Sequence, residues 1–342
     1  KRRVRYKGTH PRRFEEKYKE LNPEKYADTI EHVIQKGGTP AGMHISIMVK
    51  EILDFLQIKP GKTGFDATLG YGGHTKAMLE CLKGQGHMYA TDVDPIESAK
   101  TKKRLADAGF GEDILTIRLQ NFCTIDEIAK EAGGFDFVLA DLGVSSMQID
   151  NPDRGFSFKV DGSLDLRLNP EKGISAAERL AQINEDELAG MLWENSDEPY
   201  AEELAHAIVT ERKHGKPIDT TTRLREVIEE TLSFLPEKEK KDTVKKTCQR
   251  TFQALRIDVN NEFEVLYEFM EKLPGALKPG GRAAILTFHS GEDKLVKKAL
   301  KQGYKEGIYS EIANDVVRPS AEECAQNGRA RSTKMRWAVR AE

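Results

Sequence analysis

The chain has 342 residues, 53 Lys and Arg against 56 Asp and Glu for a formal net charge of −3, and 38% hydrophobic residues. That length suits one large domain carrying an insertion, or two smaller domains, and excludes a peptide-sized module. No apolar run approaches the roughly 20 residues of a membrane span, so a soluble protein with no membrane partner is expected. The four cysteines, Cys81, Cys123, Cys248 and Cys324, stand far apart without a CxxC pair. That usage fits a reducing cytoplasm and argues against a zinc ribbon or disulfide scaffold, so no metal is expected. No apolar signal segment opens the sequence, and secretion is not expected. Residues 1–13 (KRRVRYKGTHPRR) carry seven Lys or Arg and no acid. Such an arm either contacts phosphates by displacing counterions or is a solvated or helix-packing tail.

From Met43 onward short apolar runs alternate with helical patterns, the rhythm of a parallel sheet with crossover helices. GKTGFDATL reads as a strand and TKAMLECLKG as the helix after a glycine turn. GHMYATDVDP and PIESAKTKKRLADAG form the next strand and helix. ILTIRLQNF gives a third strand, ending at Phe122, and FDFVLADLG a fourth whose nearly continuous apolar run predicts burial on both faces. The fold class expected is therefore α/β, with a doubly wound sheet. From about Asp150 to Arg250 only helical patterns occur, which predicts an inserted helical subdomain. In INEDELAGML, Asn184 and Glu187 have capping-box spacing. In TTRLREVIEETL, residues Leu224, Val227, Ile228 and Leu232 share one helical face. PEKEKKD reads as a solvated loop. FQALRIDVNNEFEVLYEFMEKLPGAL then reads as one long helix with Phe263, Leu266, Tyr267 and Met270 at helical spacing, ended by KPGG. RAAILTFHS gives a fifth strand, EDKLVKKALKQG a helix, and TKMRWAVRA a closing strand in which Met335, Trp337 and Val339 alternate.

The turn FDATLGYGGHT raises the question of a ligand. A phosphate-binding GxxxxGK[ST] loop fails on position, because Gly61-Lys62-Thr63 precedes the strand instead of following it. A dinucleotide turn needs GxGxxG, and Gly70-Tyr71-Gly72-Gly73 is followed by His74-Thr75. S-adenosylmethionine has no pyrophosphate; it needs a bare turn for close approach and a carboxylate for its ribose. Asp92 stands at the end of YATD, where that carboxylate belongs. The same spacing suits NAD, and a packing role for the glycines with Asp92 as a cap stays open. Asp141 ends the fourth strand, at the edge where open α/β sheets bind ligands. Phe122 offers either a flat face to an adenine ring or a core side chain.

Taken together, FDATLGYGGHTKAML, ATDVDP, QNF, DLGVSSMQID, RGFSFKVDGSLDLRLNP, RTFQALRIDVN, LKPGGRAAILTFHSGEDKLVK and RARSTKMR resemble, in order and spacing, the 16S rRNA (cytosine-N4)-methyltransferase family known as MraW or RsmH. The resemblance covers about His44 to Arg336. It implies a class I S-adenosylmethionine-dependent methyltransferase fold, Rossmann-like, divided as 44–149 with 251–342. Residues 150–250 would be an inserted helical substrate-recognition domain, and residues 1–43 a basic N-terminal extension. It also implies a cytoplasmic enzyme that methylates the exocyclic amine of a cytidine in the decoding region of small-subunit rRNA, with 16S rRNA within the 30S subunit as partner and a homodimer left open. Carried over residue by residue, Gly72, Gly73 and His74 match the family's glycine-turn contacts and Asp92 its ribose carboxylate. Phe122 matches its adenine-side residue, and Asp141 and Gln148 the contacts after the fourth strand. Met147, Gly291 and Lys294 replace the Pro, Leu and Arg of the family's DLGVSSPQ and FHSLEDR, and KKTCQ stands where HPAT is usual. These changes mark a distinct branch.

A cytidine amine is a poor nucleophile, since its lone pair is delocalised into the ring, so transfer rests on positioning, which contributes on the order of 7–11 kcal/mol in favourable cases. Asp141 would either orient the reacting groups, a catalytic role, or only bind the cofactor. The strand end lacks the DPPY or NPPY of DNA amino-methyltransferases. His289 and Ser290, or Phe156 or Phe158, are therefore the candidates for holding the target base. Arg154, Arg167, Arg250 and Arg256, with Lys245 and Lys246, would hold RNA phosphate, although Arg154 with Asp153 and Arg167 with Asp165 could equally be local ion pairs. Arg250 and Arg256 are expected to face the cleft. Two other readings, an NAD-dependent oxidoreductase and a non-catalytic RNA-binding or assembly factor, are weaker: the first lacks GxGxxG, and the second leaves an intact glycine turn without purpose.

Overall fold

The computed structural model describes residues 46–342; the basic extension of residues 1–43 lies outside the described residues. Helix α1 (Val49–Leu56) leads into the expected alternation of β1 (Thr63–Asp66), α2 (Gly73–Leu82), β2 (His87–Asp92), α3 (Pro95–Asp107), β3 (Leu115–Leu119), α4 (Ile125–Ala132) and β4 (Phe135–Asp141). After the short α5 (Ser146–Asp150) come α6 (Ala176–Gln182), α7 (Glu185–Ser196), α8 (Ala201–Lys213), α9 (Thr221–Thr231), α10 (Glu237–Asn260) and α11 (Glu262–Ala276). The sheet resumes with β5 (Leu277–Thr287), followed by α12 (Ser290–Lys305), β6 (Tyr309–Ile312), α13 (Ala321–Gln326) and β7 (Lys334–Arg340). The seven strands form one sheet in the order β3-β2-β1-β4-β5-β7-β6. The first five are parallel, and β7 runs antiparallel to both β5 and β6. Strand order reverses between β1 and β4, which opens a crevice at their carboxyl ends.

Both faces of the sheet are covered, as the apolar run of β4 foretold. Phe135, Val138 and Ala140 pack with Ile125 of α4 and with Leu266, Phe269 and Leu273 of α11. Phe137 and Leu139 face the other way, against Met78 and Leu79 of α2 and Ile52 of α1. Strict alternation would put Phe135 and Phe137 on one face; a register shift between them turns one over.

The helical segment has its own core, in which Leu166, Leu188, Leu192, Leu204, Ile208, Leu224 and Ile228 are buried with Phe252 and Leu255 of α10. Asn184 caps α7 by accepting the Glu187 amide at 2.8 Å, as its spacing predicted. Three local expectations fail. PEKEKKD is the start of α10, where Glu237 and Glu239 suit the helix N-terminus. That 24-residue helix runs straight through position 250, the expected segment boundary. The single helix expected over FQALRIDVNNEFEVLYEFMEKLPGAL is two, because Asn261 takes the left-handed conformation (φ 49°) that Asn tolerates better than most side chains.

The alternation read in the closing strand is also incomplete, since Met335 and Arg336 are both buried. The Arg336 guanidinium forks onto Asp293, Nε to Oδ1 at 2.7 Å and Nη2 to Oδ2 at 3.0 Å, joining β7 to α12. Arg336→Met should therefore leave this buried carboxylate with only the Lys334 ammonium at 3.8 Å and the Thr287 hydroxyl at 3.2 Å, and lower unfolding free energy by about 1–3 kcal/mol, measured by urea denaturation.

Candidate active site

The glycine turn leaves β1 at its carboxyl end. Gly70 (φ 51°) and Gly72 (φ 89°) have positive φ, and a Cβ at Gly72 would lie 2.7 Å from the Thr101 side chain of α3. Glycine is thus required at 72 by conformation and by close packing. Asp66, fully buried, anchors the turn: Oδ1 accepts the Thr68 amide at 3.0 Å and Oδ2 the Thr75 hydroxyl at 2.6 Å. Gly73 opens α2, which has no side-chain cap, so backbone amides of its first turn are available at the crevice.

Asp92 closes the other side of the turn. Its Oδ2 accepts the Gly70 amide at 3.1 Å and its Oδ1 the Asp94 amide at 3.0 Å. Burial lifts its carboxyl to about 6. Asp141 stands on the far side of β1, at the end of β4, with its amide donating to the Thr68 hydroxyl at 2.7 Å and its Oδ2 3.4 Å from His74 Nδ1. His74 Nε2 is 2.7 Å from the Ile47 carbonyl, an acceptor, so Nε2 carries hydrogen and Nδ1 is the atom turned to Asp141. Burial holds the Asp141 carboxyl up at about 6, opposed by His74 and reinforced by Asp66.

Gln148 is braced at both ends, with Nε2 donating to Asp94 Oδ2 at 2.8 Å and Oε1 accepting the Ser145 amide at 3.0 Å in a capping box. Phe122 begins a 3₁₀ turn after β3 instead of ending the strand; its ring meets Phe269 edge-on at 5.2 Å and also lines the crevice. All seven sequence-predicted cofactor residues, Gly72, Gly73, His74, Asp92, Phe122, Asp141 and Gln148, line one cleft of about 850 Å³.

The RNA candidates divide. Arg256 lines this cleft, its Nε donating to Glu262 at 3.0 Å, and His289 lines it beside Glu292. Arg250 does not: it stands 3.8 Å from buried Glu198 in the helical segment, outside the lining. Arg154 is 5% exposed, bound to Asp94 at 2.8 Å and to the carbonyls of Arg167 and Leu168, so its charge is spent inside the protein. Arg167 is tied to Asp165 at 2.7 Å, the local pair that the sequence allowed. Ser290 is exposed and outside the cleft lining, and Phe156 and Phe158 pack on the helical core. Sequence reading missed Asp66, Thr75, Asp94, Phe263 and Glu292. A carboxylate ending the first strand was a visible signal for Asp66; nothing local marked Phe263.

Among the described residues no helix is long and apolar enough to cross a membrane, and no cluster of His, Cys, Asp or Glu could hold a metal ion. The strand order, the glycine turn after β1 and the carboxylate ending β2 define a class I S-adenosylmethionine-dependent methyltransferase fold. The residues fit that cofactor. Asp92 and Asp141 line the cleft beside the turn, an acidic setting that suits a cationic sulfonium.

The chain belongs to the MraW methylase family, whose pattern matches residues 41–341. It is 83% identical to a protein of Agathobacter rectalis named Ribosomal RNA small subunit methyltransferase H 1, across 100% of this chain and 98% of that one. A Lachnoclostridium phytofermentans protein of the same name is 72% identical over 100% of this chain and 93% of its own length. An Alkaliphilus metalliredigens protein named Ribosomal RNA small subunit methyltransferase H 2 is 63% identical over 99% and 97%.

A carboxyl whose folded value lies above its unfolded one costs stability once it ionises, so the Asp141 penalty grows from about pH 4 to about pH 6 and persists above. Asp141→Asn should stabilise the cofactor-free protein by about 1–3 kcal/mol at pH 7.5, and the gain should fade below pH 5. Urea unfolding across that pH range measures it.

Proposed function

We propose that this protein transfers a methyl group from S-adenosylmethionine to the N4 amine of a cytidine in the decoding region of small-subunit rRNA, acting in the cytoplasm on the 30S particle. What carries the reading is the cleft: one continuous space bounded by the glycine turn and Asp92 on one side and by His289 and Arg256 on the other. A cofactor seated on the first side leaves the second for an acceptor. The rRNA substrate is supported by the printed names of the full-length relatives, and the cytidine amine by the family-like motifs DLGVSS and FHSGED. In this reading Gly72, Gly73, Asp92, Phe122 and Gln148 hold the cofactor, His74 steadies Asp141, and Asp141 orients the groups at the methyl. The helical segment after residue 150 recognises the substrate, and Arg256, on the continuation of its last helix, lines the cleft.

Labelled methyl transfer to unmodified 30S subunits and to naked 16S rRNA, with the product nucleoside identified by mass, tests the assignment. N4-methylcytidine or its 2′-O-methylated form on the 30S is expected. Another methylated nucleoside would overturn the N4 assignment, and cofactor binding without transfer to either RNA would overturn the substrate.

Arg256→Glu should weaken RNA binding and reduce its salt slope by about 1, measured by titration at several salt concentrations. Arg250→Glu should leave binding near the wild-type value.

A further inference from the structure

We infer that the cleft wall built by Phe263, His289 and Glu292 receives the acceptor base, with the Phe263 ring stacked on its face and the Glu292 carboxylate accepting the hydrogen that its amine gives up. This rests on the methyltransferase reading above and names residues that reading leaves without a role.

The position follows from the sheet. Residues of β1 and β2 claim the nucleoside side of the cleft, and Asp141 ends β4. Asp141 pairs in register with Leu286 of β5, and the Leu142 amide donates to the Leu286 carbonyl at 3.2 Å. Phe288 and His289 therefore leave the sheet one strand beyond Asp141, about 4.8 Å sideways. Helix α12 then starts at once and brings Glu292 back to the cleft with its first turn.

Phe263 is placed by two backbone features. The left-handed Asn261 ends α10, and Phe263, in the first turn of the next helix, lines the cleft. Gly291 makes room for it: a Cβ there would lie 2.7 Å from Phe263 Cζ. The His289 ring lies 6.0 Å from the Phe263 ring, tilted by 58°. Gly291 is one of the positions at which this chain departs from the family's FHSLED pattern, and a leucine there would displace the ring.

Among the cleft's carboxylates Glu292 is the one suited to an amine. Asp150 and Glu262 are paired with Arg329 and Arg256, Asp92 holds the glycine turn, and Asp141 faces His74. Among the described residues no Lys or Arg nitrogen forms an ion pair with Glu292. Its Oε1 accepts the Phe288 amide at 3.0 Å and lies 3.4 Å from His289 Nε2. The charged groups acting on it are Arg256 of α10 and Glu262 of α11. Burial raises Glu292 to about 7, Arg256 pulling down and Glu262 pushing up, while burial and Arg256 lower His289 to about 4, so the imidazole is neutral at pH 7. As the amine nitrogen bonds to the methyl carbon, the carbon–sulfur bond breaks with its electron pair left on sulfur. The nitrogen then passes one proton to the Glu292 carboxylate, and the carboxylic acid returns it to solvent.

Glu292→Gln should fold, with an unfolding midpoint no lower than that of the wild type above pH 7 because the penalty of ionising a buried carboxyl is gone, and with an unchanged Kd for S-adenosylmethionine. Its kcat on 30S subunits should fall about 10²–10⁴-fold, and the acidic limb near pH 7 in the wild-type kcat profile should vanish. Phe263→Leu and Gly291→Leu should each raise KM about tenfold and keep that limb. Wild-type kcat with the limb intact in Glu292→Gln would overturn the proton role. If the wild-type protein methylates no rRNA, the substrate reading fails by itself, and cytidine binding with S-adenosylhomocysteine present judges the pocket. Affinity lost in Phe263→Leu upholds it; equal affinity in wild type and variant overturns it.

Discussion

A buried carboxylate at the end of the first strand holds the active edge of this protein together. Asp66 has no exposed surface, and burial raises its carboxyl above the ordinary range. It is tolerable there because every neighbour donates to it: the amide of Thr68 and the hydroxyls of Thr68 and Thr75. Each donor then fixes something else. Thr68 also accepts the Asp141 amide, which sets the end of β4 relative to β1. Thr75 holds the first turn of α2, and with it His74 and the two glycines that precede it. Removing such an anchor would release both sides of the crevice together.

A second set of buried charges fastens the other flank. Asp94 caps α3 through one oxygen, accepting the Ile96 and Glu97 amides, and through the other binds Gln148 and Arg154. The cofactor side of the cleft, the loop after β4 and the entry to the helical segment thus share one carboxylate. That explains why Arg154, so suggestive of phosphate binding in the sequence, is internal. Its guanidinium also satisfies the carbonyls of Arg167 and Leu168, which positions the chain before α6.

The long helix α10 joins the helical core to the cleft. Phe252 and Leu255 are buried in the helical segment, while Gln253, Arg256 and Asn260 look into the cleft. Asn260 also ties the helix to the segment before α6, accepting the Leu168 amide and donating to the Leu166 carbonyl, each at 2.8 Å. The break at Asn261 then redirects the chain, so that α11 packs Leu266, Phe269 and Leu273 on the sheet and presents Phe263 to the cleft.

The sequence by itself determined the five parallel strands, the inserted helices, the glycine turn, and the two strand-end carboxylates Asp92 and Asp141. These are local facts: period-two and period-3.6 patterns, a turn that only glycine can make, and acids at strand ends are legible within a dozen residues. It could not tell Arg256 from Arg154 or Arg250, because a guanidinium at a motif reads the same whether it meets solvent, a cleft or a buried aspartate. Nor could it find Phe263 and Glu292 as neighbours, since an apolar residue at helical spacing looks like core. Only the tertiary structure decided those points. The left-handed Asn261 and the room at Gly291 set where the Phe263 ring goes, and burial against Arg256 and Glu262 sets which carboxyl stays near neutrality.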